Sequence, residues 1–180
     1  MNLTDQTRAL ITRLARLEAA DGWTGDLNPA QRAALDYLAK ANRFSRSPSH
    51  VADFLGSTRG TTSQTLKALV RKGYVAEEPA TADKRSISYE LTDAGREVTS
   101  QHSLLRSSLD GLPDREVIRL AETLQNVLGA ATRQNGSKPF GICRTCQHFQ
   151  AQNLGGHCKL LQVALLPHEI SQICHEQVPQ

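Results

Sequence analysis

Residues 57–85 constrain the fold most, because an amphipathic helix pattern is followed there directly by a hairpin pattern. Thr58 can cap the helix, since the first turn of a helix leaves backbone N–H groups without partners. Leu66, Leu69 and Val70 recur at helical spacing and form one apolar stripe. The other side carries small polar and basic residues, namely Gly60, Gln64, Lys67, Arg71 and Lys72. The pattern predicts a helix that packs through one side and presents a small, positively charged side to another surface.

The residues after this helix predict a two-stranded β-hairpin with a basic tip. Residues 74–77 can form one strand, and Ile87, Tyr89 and Leu91 alternate with polar residues as in a half-buried second strand. The turn between the strands presents Lys84 and Arg85, and arginine suits a narrow minor groove of DNA. Without the hairpin, the helix would be interpreted as an ordinary surface helix with a solvated basic side. Together, the helix and the hairpin indicate a unit that binds double-stranded DNA.

The composition is that of a globular protein of 180 residues, 39% of them hydrophobic and 22% charged. A net charge of +3 is only mildly basic, so the placement of charge matters more than its sum. Aromatic residues make up 4%, which argues against base-stacking platforms for RNA or single strands. Apolar runs stay short of the roughly 18 residues of a membrane span, and the first residues lack the apolar core of a secretory signal. We therefore expect a cytoplasmic protein with no membrane partner and with reduced cysteines.

Amphipathic patterns predict further helices on both sides of the hairpin unit. One helix covers about residues 4–20, and Asn28–Pro29 and Ser47–Pro48 are start signals for two more. The short helix after Ser47, the turn at 56–58 and the recognition helix form a helix-turn-helix. Beyond the hairpin, one helix capped by Thr92 runs to about Leu109, and another covers about 115–133. The predicted fold class is mainly α with a small β-hairpin wing: a winged helix-turn-helix with long flanking helices.

The flanking helices carry more apolar surface than a small winged helix can cover. Two such helices follow the hairpin and one precedes the reader unit. The simplest way to bury this surface is a homodimer in which these helices pack against a second copy of the chain related by a twofold axis. The alternative is a monomeric helical bundle.

Three features resemble the MarR family of bacterial transcriptional regulators. The first is Val-Ala-Asp-Phe-Leu-Gly at 51–56, followed by Leu-Lys-Ala-Leu-Val-Arg-Lys-Gly-Tyr-Val at 66–75. The second is Asp-Lys-Arg at 83–85, and the third is Leu-Thr-Asp-Ala-Gly at 91–95. Each is weak alone, but together they are specific. With the flanking helices included, the resemblance covers about residues 4–134.

The resemblance implies a homodimer that binds palindromic duplex DNA, usually represses transcription, and releases the DNA when a signal such as a small-molecule effector arrives. It assigns base or phosphate contact to Thr61, Ser63, Gln64 and Lys67, and phosphate contact to Arg59. Arg85, beside Lys84, would enter the minor groove. The chain departs from the family at Thr62, where an apolar residue is usual, so the recognition helix would seat less firmly on its core.

Four cysteines are gathered in the last 38 residues, namely Cys143, Cys146, Cys158 and Cys174. Residues 135–142 have the composition of a linker. They divide a winged-helix and dimerisation domain at 1–134 from a cysteine-rich module at 143–180. In a reducing compartment, clustered thiols favour a metal over disulfides. The alternatives are two disulfides or buried thiols.

The spacing of the cysteines favours an iron–sulfur cluster over Zn²⁺. Structural zinc sites most often combine two C-x2-C pairs, whereas here the second pair is split by fifteen residues, which is ordinary for iron–sulfur ligation. Zinc remains the alternative. Four histidines are further candidate ligands, namely His148, His157, His168 and His175.

The predicted function is that of a DNA-binding regulator, most simply a repressor, whose cluster senses redox state or iron. The alternative is a regulator with structural zinc that responds to a small organic ligand. An enzyme is not expected, because no glycine-rich phosphate loop follows a strand and no H-E-x-x-H motif occurs.

Overall fold

The computed structural model describes residues 1–23, 25–79, 86–101 and 103–180. Its helices are α1 (Leu3–Asp21), α2 (Pro29–Lys40), α3 (Pro48–Leu55), α4 (Arg59–Arg71), α5 (Asp93–Ser100), α6 (Leu104–Asp110) and α7 (Asp114–Asn135). Its strands are β1 (Val75–Pro79), β2 (Ile87–Leu91), β3 (Gly141–Ile142), β4 (Phe149–Gln152), β5 (Gly155–Cys158), β6 (Val163–Leu165) and β7 (Ile173–Cys174). None of these helices combines the length and apolarity that crossing a membrane requires.

A single apolar core joins α2, α3, α4 and the hairpin β1–β2. Leu66 and Leu69, the predicted stripe of the recognition helix, are fully buried, and so are Leu35 and Val51 on the neighbouring helices. Burial of such side chains stabilises a fold by about 1.5–3 kcal/mol each. The mainly helical fold class with a hairpin wing is confirmed.

The helix starts follow from local capping. Asn28 and Gln31 form a capping box, with Asn28 Oδ1 accepting from Gln31 N at 2.9 Å and Gln31 Oε1 accepting from Asn28 N at 3.2 Å. Ser47 accepts from His50 N at the start of α3. Gly56 ends α3 with φ +60, a left-handed conformation that glycine adopts at little cost.

The prediction of one continuous helix after the hairpin was wrong, because α5 and α6 are separate. Gln101 is extended, and Ser103 caps a new start by accepting from Arg106 N at 3.2 Å. Two carboxylates of α1 accept hydrogen bonds from the first N–H groups of α6. Leu104 N donates to Asp21 Oδ2 at 2.9 Å, and Leu105 N donates to Glu18 Oε2 at 3.3 Å. These bonds compensate for the interruption of the helix.

The hairpin pairs β1 and β2 antiparallel, with Val75 opposite Leu91 and Pro79 opposite Ile87. The predicted alternation holds at Tyr89, which is buried, but fails at Ile87, which is 46% exposed. Ile87 pairs with Pro79 at the end of the hairpin farthest from the helices, beyond the reach of the core.

The cysteine segment, residues 141–180, forms two small sheets after α7. One pairs β3 with β7, and the other has the antiparallel order β4-β5-β6. Between α7 and β3, Phe140 packs on the core of the winged helix, 5.1 Å from the Phe54 ring in an edge-on contact. The boundary of 135–142 stays a prediction; in the structure α7 extends to Asn135, and Gly141–Ile142 is already strand.

Candidate nucleic-acid interface and cysteine site

The start of α4 is fixed by Thr58, whose hydroxyl accepts a hydrogen bond from Thr61 N at 3.1 Å. The two hydroxyl groups also hydrogen-bond to each other at 2.9 Å. Behind this turn, Leu66 and Leu69 are buried without residual exposure. The helix is therefore anchored through one side, while its first turn projects from the surface.

The candidate contacts on α4 form an exposed polar surface. Arg59, Thr61, Gln64 and Lys67 are exposed, and Ser63 is half-buried. Their roles in binding DNA stay predictions. The candidate wing contacts Lys84 and Arg85, like Asp83 beside them, lie outside the described residues.

Thr62 lies on the buried side of α4, where it is 2% exposed. Among the described atoms its hydroxyl oxygen has no hydrogen-bond partner. A buried hydroxyl without a partner destabilises a fold. This position is the one where the chain departs from the MarR pattern.

Lys72, one of the basic residues named in the sequence, is hydrogen-bonded to other residues of the protein. Its ammonium group donates to Gln31 Oε1 at 3.0 Å and also to the Asp26 carbonyl oxygen. The positive charge that α4 offers to solvent therefore comes from Arg59, Lys67 and Arg71, which are exposed.

All four cysteines line one small cavity in the cysteine segment. Cys143, Cys146 and Cys174 are each 6% exposed, and Cys158 is half-buried. A 3-10 turn brings the first two together, with Cys146 N donating to Cys143 O at 3.0 Å. All four are free thiols. The fold thus gathers residues that are up to 31 positions apart in the chain.

Hydrogen bonds reach the sulfur atoms of the cavity. Asn42 Nδ2 donates to Cys143 Sγ at 3.5 Å, and Val178 N donates to Cys146 Sγ at 3.5 Å. The hydrogen bond between the Cys143 and Cys174 thiols raises the pKa of Cys143. The same bond, with smaller contributions from the Glu176 backbone and the Asn42 and Ser45 side chains, lowers the pKa of Cys174 to about 6. The pocket therefore favours negative charge on at least one sulfur.

The donor set fits a thiolate-ligated metal, although the side chains are not yet in ligand geometry. Within the described ranges, no group of three or more His, Cys, Asp or Glu side chains is already arranged to hold a metal ion. The cavity is about 10 Å³, roughly the space of one water-sized sphere. Its apolar lining includes Leu165 and Phe149, and His148 and Glu176 line it as well.

Residues 25–86 match the model of the MarR family. Two solved structures share the fold: MarR from E. coli in its reduced form (25% identity, TM-score 0.52, 71% of this chain and 97% of that one) and FabT from Streptococcus pneumoniae in complex with DNA (20% identity, TM-score 0.56, 73% and 96%). The winged-helix domain, residues 1–135, is therefore similar to the MarR family and is called the MarR-like domain. A comparison with curated proteins finds no match.

The cysteine segment packs on this MarR-like domain through residues 41–47, the α2–α3 loop. Arg43 Nη1 pairs with Glu169 Oε1 at 2.5 Å, and Glu169 is 2% exposed. Two backbone groups join the loop to β7 and the residue after it: Asn42 N donates to Ile173 O, and His175 N donates to Ser45 Oγ, both at 2.9 Å. Sequence reasoning missed this contact, because single polar residues in a loop carry no periodic signal.

Two histidines extend the contact to α3 of the MarR-like domain. The His50 and His175 rings stack with centroids 3.8 Å apart, and His175 Nε2 lies 3.3 Å from Asp53 Oδ2. Burial, followed by the charge of His175, lowers the pKa of His50 from 6.5 to about 4. The first helix of the helix-turn-helix thus contacts the residue that follows Cys174.

Proposed function

We propose that this protein is a homodimeric, DNA-binding transcriptional regulator, most simply a repressor, whose four cysteines hold a metal centre. The exposed polar surface of α4 in a MarR-family winged helix carries the proposal. Its small residues allow close approach to base edges, and its basic residues can neutralise phosphates. MepR from S. aureus was solved with DNA (18% identity, TM-score 0.54, 73% of this chain and 99% of that one), as was FabT.

Dimer formation is supported by the exposed apolar side chains of the flanking helices. They are Leu10, Ile11, Leu14 and Leu17 on α1, and Ile118, Leu120, Leu124, Val127 and Leu128 on α7, each at least 37% exposed. Apolar surface of this extent favours association. A twofold dimer presents two copies of α4, so the DNA site it reads would be palindromic.

For the cysteine site we propose an iron–sulfur cluster. The split spacing of the cysteines and their convergence on one cavity with an apolar wall support it. An iron–sulfur cluster would supply a redox-active group there. The protein would then respond to iron or to redox state by changing its affinity for DNA.

A single structural zinc ion is the second candidate, because the cavity of about 10 Å³ matches one ion better than a cluster. The signal would then be a small organic ligand. A cavity of about 310 Å³, lined by α1, α2 and Ser103–Leu105, has the volume of a small-ligand pocket. CouR from Rhodococcus jostii RHA1, which shares the fold, was solved with p-coumaroyl-CoA (17% identity, TM-score 0.54, 71% of this chain and 94% of that one).

Anaerobic purification with metal, sulfide and absorption analysis separates the two metal candidates. Iron and inorganic sulfide with visible absorption support the cluster, and one colourless zinc per chain supports the second candidate. Protein that takes up neither metal would refute both.

DNA binding is tested with Lys67→Ala and, as a control, Lys159→Ala, which removes the same charge from an exposed position in the cysteine segment. A duplex selected by the wild-type protein from a randomised pool serves as the probe. If Lys67 contacts phosphate, its loss lowers the slope of log K against log salt by about one per protomer. Equal slopes for both variants would contradict the assignment of Lys67.

A further inference from the structure

The α2–α3 loop is bonded on two opposite sides, to the cysteine site and to the wing. Toward the cysteine site, the Asn42 side chain reaches Cys143 Sγ at 3.5 Å. Toward the wing, Arg46 O accepts from Tyr89 N at 3.1 Å, and the Arg46 guanidinium pairs with Glu90. A side-chain bond from Arg46 Nε to Ala41 O, at 3.0 Å, ties the two ends of the loop together.

The loop has little freedom to move independently of its partners. Ala41, Asn42 and Ser45 are each at most 1% exposed. Both ends of the Asn42 amide are engaged, since Oδ1 accepts from Phe44 N at 3.1 Å while Nδ2 points to the sulfur. Tyr37 Oη donates to Ser45 O at 2.6 Å from α2. A displacement of Cys143 therefore has to be followed by the loop or has to break a buried bond.

We infer that Asn42 is a positioning residue of the cysteine site. We also infer that the α2–α3 loop transmits the structural effect of metal binding at this site directly to the wing and to α3. The inference rests on the metal centre proposed above. Coupling then runs within one protomer, through the DNA-reading domain itself, and does not need a change in the dimerisation helices.

The physical basis is a restraint on position. Ligation would fix the position of Cys143 Sγ, and the buried Asn42 side chain, bonded to this sulfur at 3.5 Å, would then hold the loop at the matching position. A bound ligand shifts a conformational equilibrium when it interacts differently with the two conformations.

Hydrogen exchange on the full-length protein, with and without the metal it takes up from Zn²⁺ or from iron and sulfide, tests the inference. Loading should slow exchange of the Asn42 and Tyr89 amides about tenfold, in addition to amides within the segment such as Cys146 and Phe149. Asn42→Ala should bind metal about tenfold more weakly. At saturating metal, the extra protection of Tyr89 should be lost in this variant. Gln152→Ala, at an exposed position of β4, should behave as wild type.

Arg43→Ala is the second variant, because it removes the ion pair with Glu169 and leaves the bonds to sulfur in place. It should still bind metal, and at saturating metal it should lose part of the protection at Tyr89. If metal binds and protects Cys146 and Phe149 while Asn42 and Tyr89 exchange unchanged, the inference is overturned and the metal centre stands. Wild-type protein that takes up no metal would instead refute the proposed site.

Discussion

The MarR-like domain and the cysteine segment are stabilised in different ways. The domain has an extended core in which Leu35, Leu38, Leu66 and Leu69 are at most 1% exposed. The buried cluster of the segment consists of Cys143, Leu165 and Cys174, with Phe44 of the domain packed against it. The first region folds by apolar burial, whereas the second has a small core and depends on its contact with the domain and, under the proposal above, on a metal centre. Four predictions test this contrast, from the largest expected effect to the smallest.

Cys158→Ser should separate the two regions most clearly. Structural Zn²⁺ contributes about 10–16 kcal/mol to the folding of small modules, so, with the proposed metal centre, the variant should lose metal binding and the order of residues 141–180. The MarR-like domain should keep its helices. Limited proteolysis with mass spectrometry would locate the sensitive bonds, and circular dichroism would report the helices. Cooperative unfolding of the whole chain would show that the two regions form one unit.

Leu69→Ala should destabilise the MarR-like domain by about 3 kcal/mol, because it leaves a cavity at a fully buried site. Leu160→Ala is the matched control in the segment, where the leucine is 46% exposed, and it should change the stability of the domain by less than about 0.5 kcal/mol. Urea unfolding followed by circular dichroism measures both. Equal losses would remove the contrast between the regions.

Acidification should weaken the junction between the regions through His50, whose pKa falls to about 4 in the folded protein. Between pH 6.5 and 4 the unfolded state binds a proton that the folded state does not, so stability is lost as the pH falls through this window. The loss is about 2 kcal/mol after allowance for partial exposure. Asp53, Glu176, Lys138 and His175 also act on this site.

His50→Phe keeps a ring for stacking and cannot take up the proton. It should flatten this part of the stability profile, as measured by urea unfolding at pH 7.5 and 4.5. Parallel profiles for the wild type and the variant would assign the pH dependence to other groups.

Thr62→Val should stabilise the MarR-like domain by about 1 kcal/mol, because it removes a buried hydroxyl that lacks a partner among the described atoms. Thr65→Val is the control, since the Thr65 hydroxyl donates to Thr61 O at 3.0 Å. The midpoint temperatures of thermal unfolding of both variants, compared with the wild type, measure the change in stability. A gain of stability in Thr65→Val alone would reverse the assignment.

The sequence was sufficient where the signal is local or periodic. The caps at Asn28, Ser47 and Thr58, and the buried positions Leu66 and Leu69, follow from short-range spacing and are present in the structure. The interruption at Gln101 was missed, because the carboxylates that support it come from α1, more than eighty residues away.

At the cysteine site, the sequence predicted which cysteines come together, but it did not predict which surface of the winged-helix domain the segment contacts. The thiols share one cavity, as their spacing suggested. The bonds from Asn42, Arg43 and Ser45 join the segment to residues more than a hundred positions earlier. Such contacts depend on the completed fold and leave no pattern along the chain.

The short connection after α7 also sets a tether length. Four residues, 136–139, separate the end of this helix from Phe140, whose ring lies against Tyr37 and Phe54. The fully extended chain from Asn135 to Phe140 reaches at most about 18 Å. As long as Phe140 stays in this position, the end of α7 cannot move farther than this from the core of the winged helix. Release of Phe140 together with the cysteine segment would remove this limit.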